Sequence, residues 1–181
     1  YSEFKINLKI LDKISLKIFP KPFFLVKEAN LDLNIEDDSS SIVKTKDLRI
    51  YIPFSSLYSK SNIKINSLEI NNTNIYFKLN DIKDLRKHLY YKINKPIYIK
   101  KSKLFLLDNN NNTILISPIN KIEYLINEKN NFKGIKIKGN IFDVNYESFW
   151  KRYYDDPKKT FNEIKFKNPN LYVKNLFTIK D

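Results

Sequence analysis

Several residue types are missing or nearly missing from this 181-residue sequence. It contains no Cys, no Met, one His and two Gly. Without Cys it can form neither a disulfide framework nor a thiolate metal site. With His88 as the only histidine, and Gly134 and Gly139 as the only glycines, it has neither a multi-histidine site nor a glycine-rich phosphate loop. Because it begins with Tyr1 and has no Met, we expect a piece of a longer chain or a processed form.

The sequence also offers little for catalysis. His88 stands among basic residues on a segment that we predict to be helical, where a surface position is the simpler interpretation. The paired carboxylates, Asp37-Asp38 and Asp155-Asp156, fall in turn-forming sequence, and neighbouring residues of a strand point to opposite faces. We therefore predict a protein that is not an enzyme and that uses no metal or cofactor.

Long apolar runs are absent as well. None approaches the ~20 residues that a membrane-spanning helix needs. No signal peptide is visible either. Both observations concern the given residues only and do not bear on segments before Tyr1.

Positive charge is abundant: the formal net charge is +13 and the isoelectric point is near 9.6. A net positive charge of this size is typical of proteins that bind nucleic acids or anionic membranes. Here Lys occupies the polar positions of nearly every strand-like run instead of forming one patch. Lys, Asn, Ile, Tyr and Phe are also the residues that A- and T-rich codons encode. We interpret most lysines as solvated strand positions and expect no nucleic-acid partner.

The strongest nucleic-acid signal is "YESFWKRYY" at Tyr146–Tyr154, where aromatic residues surround Lys151 and its basic neighbour. Aromatic residues interleaved with basic ones on an exposed face would suit single-stranded nucleic acid. Trp150, however, shares its phase with Phe142 and Val144, so we interpret the segment as a strand that runs into a turn.

What the sequence has in quantity is alternation of apolar and polar residues. In "FKINLKILDKISLKI", every second residue of Phe4–Ile10 and again of Ile14–Ile18 is aliphatic or aromatic, with Lys, Asn and Ser between them. This period of two predicts strands with one apolar and one polar face. Similar runs recur about every eight to twelve residues along the chain, which favours an antiparallel, meandering, mainly β fold.

One segment departs from this period. In "DIKDLRKHLYYKI", apolar residues recur at helical spacing and Asp81 can cap the first turn, so we predict a short helix over Asp81–Tyr91. No convincing domain boundary is present. We predict a single unit over residues 1–181, with a possible joint near 92–97.

The connections between runs are rich in Asn, Asp, Ser and Pro, which favour turns. We predict a hairpin loop at Asp108–Asn112, turns at Glu36–Ser41 and Tyr154–Lys159, and a loop or one helical turn at Pro53–Lys60. A change of phase predicts a β-bulge near Asn66-Ser67.

The succession of these motifs resembles AsmA-like proteins. The resemblance rests on "LKIFPKPFFLVKEANLDL" (Leu16–Leu33), "TKDLRIYIPFSSLYSKSNIKINSLEINNTNIYF" (Thr45–Phe77), "IYIKKSKLFLLDNNNNTILISPINKIEYLI" (Ile97–Ile126) and "IKIKGNIFDVNYESFW" (Ile135–Trp150). It covers most of residues 16–150, although Gly is rarer here than in that family and the predicted helix has no counterpart.

The resemblance implies a long curved sheet shaped as a trough, with an apolar concave face that shields phospholipid acyl chains. It further implies a periplasmic location in a Gram-negative envelope. An N-terminal inner-membrane anchor and neighbouring β-groove segments of the same chain would complete the protein. Each CH₂ removed from water contributes about 0.8 kcal/mol, so an apolar face can hold a lipid tail without specific polar contacts.

The residues predicted to contact acyl chains are the apolar members of the alternating runs. They are Phe4, Ile6, Leu8, Ile14, Leu16, Ile18, Leu31, Leu33, Leu48, Ile50, Ile52, Leu68, Ile70, Ile75, Phe77, Leu104, Leu106, Ile135 and Ile137. Two alternatives remain open at this point. A closed β-sandwich would use the same residues as an ordinary core, and a basic β-rich nucleic-acid binder would require clustered charge with exposed aromatic residues.

Overall fold

A computed structural model describes residues 7–32, 42–58, 63–78, 94–156 and 158–178. These residues form one large, open, curved sheet of 14 strands, and the predicted mainly β fold is thereby confirmed. The predicted helix at Asp81–Tyr91 and the predicted turn at Glu36–Ser41 lie outside the described residues. The strands are β1 (Asn7–Ile10), β2 (Ile14–Lys17), β3 (Phe23–Val26), β4 (Ala29–Asp32), β5 (Ile42–Thr45), β6 (Asp47–Tyr51), β7 (Ser67–Asn71), β8 (Asn74–Lys78), β9 (Ile97–Leu107), β10 (Thr113–Asn127), β11 (Phe132–Ile141), β12 (Val144–Tyr153), β13 (Lys159–Phe166) and β14 (Leu171–Thr178).

The first eight strands behave as four longer strands, each interrupted once. β1 and β2 pair with β4 and β3, and these pair in turn with β5 and β6. β6 then pairs with β7, and β5 with β8. From β9 to β14 each strand pairs with the next one along the chain. The sheet is therefore a meander in which sequence neighbours are also spatial neighbours.

One junction departs from the predicted antiparallel arrangement. β7 and β8 both run parallel to β9, which makes the sheet mixed. Every other strand pair among the described residues is antiparallel. Alternation along a strand is the same in both kinds of pair, so the sequence pattern does not reveal this difference. β9 pairs on both sides along its length, so the sheet is continuous beside the joint predicted near residues 92–97.

The interruptions of neighbouring strands lie side by side and form a line across the sheet, here called the seam. At the seam Asn72 and Lys101 adopt positive φ values of 52° and 50°. The seam consists of residues 11–13, 27–28, 46, 72–73 and 101, which face one another in the strand registers.

Buried hydroxyl groups satisfy the backbone at the seam. Thr73 Oγ1 donates to the Lys44 carbonyl, and Thr45 Oγ1 donates to the Asn71 carbonyl at 3.4 Å. Ser102 Oγ accepts a hydrogen bond from the Thr73 amide at 3.4 Å. Because buried backbone groups without partners are costly, these side chains make the interruption compatible with a packed sheet.

Both glycines of the chain lie in β11, where two strands approach closely. β10 has a bulge at Asn120, and its register with β11 shifts between Ile119 and Lys121. Gly139 pairs with Ile119 beside this bulge, and a Cβ on Gly139 would lie 2.8 Å from the Pro118 carbonyl oxygen. The bulge predicted near Asn66-Ser67 stays a prediction. Residues 63–66 precede β7 without belonging to a strand, and the Asn66 amide donates to the carbonyl of Tyr51, the residue that Ser67 opposes.

The described turns agree with the sequence predictions. Phe54–Leu57 is a 3-10 helix within the predicted loop or helical turn. Asp108 Oδ1 accepts hydrogen bonds from the Asn110 and Asn112 amides, which closes the hairpin loop between β9 and β10. β12 ends in a turn before β13, so the predicted end of the "YESFWKRYY" strand is confirmed.

Candidate functional site

The two faces of the sheet differ sharply in chemistry. Side chains that oppose each other in neighbouring strands lie on the same face. One row of opposing residues crosses the whole sheet and contains a single polar member, Ser148. The face that carries it is here called the apolar face. The row is Ile14, Val26, Leu48, Ile70, Ile99, Ile122, Ile137, Ser148, Ile164 and Val173.

The structure gathers many of the predicted lipid contacts into one hydrophobic cluster on this face. Their side chains are largely withdrawn from solvent, and Leu48 is only 1% exposed. They are therefore core residues of the folded sheet, and whether they also contact lipid stays a prediction. The buried members are Leu31, Leu48, Leu68, Ile70 and Ile75, with Leu8, Ile50, Phe77, Leu104 and Ile135 packed against them.

The remaining predicted contacts fall into three groups. Ile52 is buried directly after β6, and Leu106 and Ile137 are half-buried within their strands. Phe4, Ile6 and Leu33 lie outside the described residues. Ile14, Leu16 and Ile18 are exposed, and Ile14 has 53% of its surface accessible. Among the predicted contacts, those open to a ligand thus lie at the edge formed by β2.

Sequence reasoning omitted several residues of the same cluster. Most of them occupy alternating positions of recognised strands, so the period-two pattern could have identified them. Tyr124 was missed for a different reason, since its ring is buried although tyrosine often lies at a surface. The omitted residues are Val26, Ala29, Ile65, Ile97, Ile99, Ile122, Tyr124 and Ile126.

The opposite face, here called the polar face, carries opposite charges that pair within and between strands. Arg49 lies 2.9 Å from Asp47 and 3.4 Å from Glu69, and Lys100 lies 2.6 Å from Glu69. Further along the sheet, Lys121–Glu123, Lys138–Glu147 and Lys151–Glu163 continue the pattern at 2.7, 2.9 and 4.0 Å. Opposite charges that face each other across strands stabilise the sheet.

Glu69 is the most enclosed carboxylate of this ladder, with 11% of its side chain exposed. Burial raises the pKa of Glu69. Hydrogen bonds from Lys100 and Asn71, together with the charges of Lys100 and Arg49, outweigh that effect and hold its pKa below the usual value. The carboxylate therefore remains ionised and structural at neutral pH.

The apolar face becomes polar where β11, β12 and β13 meet. Lys133 and Arg152 oppose each other there and are buried, and burial lowers the pKa of Lys133. Lys133 Nζ donates to Asn94 Oδ1 at 2.8 Å, and Arg152 Nη2 donates to Thr160 Oγ1 at 3.2 Å. The apolar surface thus ends in a patch of hydrogen-bonded polar groups.

The aromatic residues of "YESFWKRYY" mostly contact the protein's own side chains. Lys151 Nζ lies 5.9 Å from the ring centroids of Phe149, Tyr153 and Phe161 on the polar face. Trp150 points to the apolar face and stacks on Phe177 with centroids 5.8 Å apart. Because neighbouring residues of a strand point to opposite faces, Trp150 lies on the apolar face and the rings of Phe149 and Tyr153 lie on the polar face.

A pocket of about 940 Å³ opens at the end of the sheet where β2 joins β3. It is lined by residues 19–23 and 52–54 and by the charge ladder around Arg49, Glu69 and Lys100. Sequence reasoning assigned no site to this part of the chain.

Neither chemical motifs nor relatives identify an activity. Within the described parts of the chain, no group of three or more His, Cys, Asp or Glu residues could hold a metal ion. No helix in those parts is long and apolar enough to cross a membrane. No protein-family model and no curated protein matches the chain.

Proposed function

We propose that this chain is a non-enzymatic lipid-binding segment of an AsmA-like envelope protein, which shields phospholipid acyl chains on its apolar face. The observation that carries the proposal is the row of opposing side chains from Ile14 to Val173, apolar except for Ser148, on an open sheet. The polar face, with its paired charges, provides the water-exposed counterpart.

Exposure along the row suggests where an acyl chain would lie. The centre of the row is already packed, whereas β2 at one edge presents Ile14, Leu16 and Ile18. At the other edge, β14 presents Leu171 and Phe177. Exposed apolar strips of this kind mark surfaces that contact other molecules. We assign acyl-chain contact to the flanks of the face and a structural role to its centre.

The proposal includes the surroundings that the resemblance implies. In the complete protein an N-terminal anchor holds the segment at the inner membrane, and the groove lies in the periplasm. Neighbouring β-groove segments pair with the edge strands, because an exposed edge offers unpaired N–H and C=O groups to another strand. Phospholipid is the cargo, and nucleic acid is not a partner.

A closed β-sandwich explains the structure less well. A sandwich covers one apolar sheet face with the apolar face of a second sheet. The described strands instead belong to one open sheet, and the exposed β2 strip has no place in a closed core.

The single tryptophan permits a direct test. Trp150 faces the apolar side beside Ile135, near the β14 flank. A phospholipid with brominated acyl chains, presented below its critical micelle concentration, should quench Trp150 fluorescence, whereas the unbrominated lipid should not. Absence of quenching at every lipid concentration would contradict acyl-chain contact on this flank.

The opposite flank offers a matched pair of substitutions. Leu16 and Lys17 are adjacent and exposed, but their side chains lie on opposite faces of β2. Leu16→Glu should reduce capture of a fluorescent phospholipid by about fivefold or more, because a charge replaces an apolar contact. Lys17→Glu should leave capture nearly unchanged. Equal losses would show that bound lipid does not distinguish the faces.

A further inference from the structure

Two connections at one end of the sheet form a single surface, here called the loop end. It consists of residues 18–22, between β2 and β3, and residues 52–58 with 63–64, between β6 and β7. The Ile52 amide donates to the Pro22 carbonyl at 3.1 Å, which joins the two connections. Ser56 is buried, and its Oγ accepts a hydrogen bond from the Lys64 amide at 3.2 Å. The loop end is therefore a fixed surface.

Large apolar side chains project from this surface into solvent. Phe19 is 85% exposed, Tyr58 88% and Phe54 51%. Ile18 and Ile63 are exposed beside them. An isolated exposed apolar residue needs no explanation, but a group of five on two joined connections does.

The loop end is also free of negative charge. No Asp or Glu occurs in the sequence between Asp12 and Glu28, or between Asp47 and Glu69. Lys17, Lys21 and Lys64 are all exposed around the aromatic side chains. On the polar face of the sheet, by contrast, Lys100, Lys121 and Lys138 each pair with a carboxylate.

Exposed aromatic side chains with lysines beside them favour binding to the headgroup interface of an anionic bilayer. Phe and Tyr enter the headgroup region, and each Lys near the surface adds about 1 kcal/mol. A surface that binds single-stranded nucleic acid would instead need aromatic side chains on which the bases stack. Ile18 and Ile63 have no such ring, whereas aliphatic side chains enter lipid readily.

The loop end is continuous with the exposed strip of the apolar face. Leu16 and Ile14 follow Ile18 along β2 on the side of the apolar row. A lipid tail leaving the bilayer next to Phe19 would therefore meet this strip first.

We propose that the loop end docks on the surface of an anionic phospholipid bilayer, with Phe19, Phe54 and Tyr58 inserted and Lys21 and Lys64 on the lipid phosphates. This inference rests on the proposed function only in taking lipid as the partner. Docking on a bilayer and capture of single acyl chains are separate events that different assays report.

Vesicle flotation tests the docking. The whole chain should float with vesicles containing phosphatidylglycerol and much less with vesicles of pure phosphatidylcholine. Phe19→Ser combined with Tyr58→Ser should weaken binding by tenfold or more. Lys21→Glu should weaken it by about fivefold, since one favourable charge near the surface is lost and an unfavourable one added.

The opposite end of the sheet provides the controls. Phe142, at the β11–β12 turn, is 85% exposed, as Phe19 is. Lys167, before β14, is exposed as Lys21 is. Phe142→Ser and Lys167→Glu should leave flotation unchanged. Urea unfolding of every variant distinguishes lost docking from lost structure, because all five positions are exposed.

Three outcomes would overturn the docking proposal. The first is no flotation with anionic vesicles, and the second is an equal loss of flotation from substitutions at either end of the sheet. The third is that single-stranded RNA displaces the vesicles and that the same loop-end residues bind the RNA. If flotation fails while Trp150 is still quenched by brominated lipid, docking is wrong and the proposed function stands. If flotation succeeds while Trp150 is not quenched and Leu16→Glu does not reduce lipid capture, the proposed function fails and docking stands.

Discussion

Lys100 Nζ lies 2.6 Å from Glu69 Oε2, and this ion pair joins β9 to β7 at the one junction where strands run parallel. Glu69 also accepts hydrogen bonds from Asn71 Nδ2 and Arg49 Nη1 at 3.2 and 3.4 Å. Three donors on one enclosed carboxylate make this the most densely bonded point of the polar face. It fixes the register where the meander changes direction.

Glu69→Gln should destabilise the protein by about 1–2 kcal/mol at pH 7, because two cations lose their charged acceptor. The folded-state pKa of Glu69 is lowered, so its contribution is fully present above the ordinary value near 4.5 and is lost as pH falls through the folded-state pKa. Urea unfolding should therefore show a constant difference between the two proteins above about pH 5.5, which shrinks in acid.

A matched control is Glu163→Gln, since Glu163 pairs with Lys151 at the longer distance of 4.0 Å and is more exposed. We expect a change below about 0.5 kcal/mol at pH 7. A difference between wild type and Glu69→Gln that did not vary with pH would contradict the assigned ionisation.

Leu48→Ala should cost about 3 kcal/mol of unfolding free energy, because Leu48 is buried in the centre of the hydrophobic cluster and alanine leaves a cavity. Leu171→Ala, on the exposed edge strand, should cost less than about 0.5 kcal/mol. If urea unfolding gave similar values for both, the centre of the apolar face would not be packed as described. Charged substitutions at Leu48 would likewise lower the free energy of unfolding, so a loss of lipid capture in such variants would reflect the fold before it reflected lipid contact.

Gly139→Ala should destabilise the protein by about 2 kcal/mol, because the added Cβ would approach the Pro118 carbonyl oxygen to 2.8 Å. The strands must separate at the β10 bulge to make room. Lys138→Ala, the neighbouring position on the polar face, should cost about 0.5 kcal/mol. Thermal unfolding that ranked these two variants in the opposite order would show that the close approach is absent.

Thr73→Val should cost about 1–2 kcal/mol, since valine keeps the shape but removes the hydroxyl that donates to the Lys44 carbonyl. Amide hydrogen exchange should accelerate in β5 and β8, on either side of the lost bond. Thr113→Val, at the exposed start of β10, provides the comparison and should change neither measurement.

Alternation was sufficient to predict the strands and the two faces, because a side chain's face depends only on its parity within a strand. Leu48, Ile50 and Phe77 were correctly placed on one apolar surface for this reason. Turn composition likewise located the Asp108–Asn112 loop and the helical turn at Phe54–Leu57.

Properties that depend on distant parts of the chain were not predictable in this way. The parallel pairing of β7 with β9 depends on the path of the connection between them, and strand sequences do not record it. The exposure of a side chain also depends on which strands lie beside its own. Leu16 and Leu48 belong to identical patterns, yet Leu16 lies on an edge strand and Leu48 between two packed neighbours. The loop end was missed because its side chains follow no period.

The meandering connectivity of the sheet also determines the order in which its strands unfold. Each strand depends chiefly on the two strands beside it, so stability is distributed as in a linear array with nearest-neighbour coupling. Unfolding then begins at β14, whose side chains are mostly exposed, and proceeds inwards one hairpin at a time. A hairpin inserted into such an array would lengthen the sheet without rerouting any existing strand, which gives this architecture a simple means of growth.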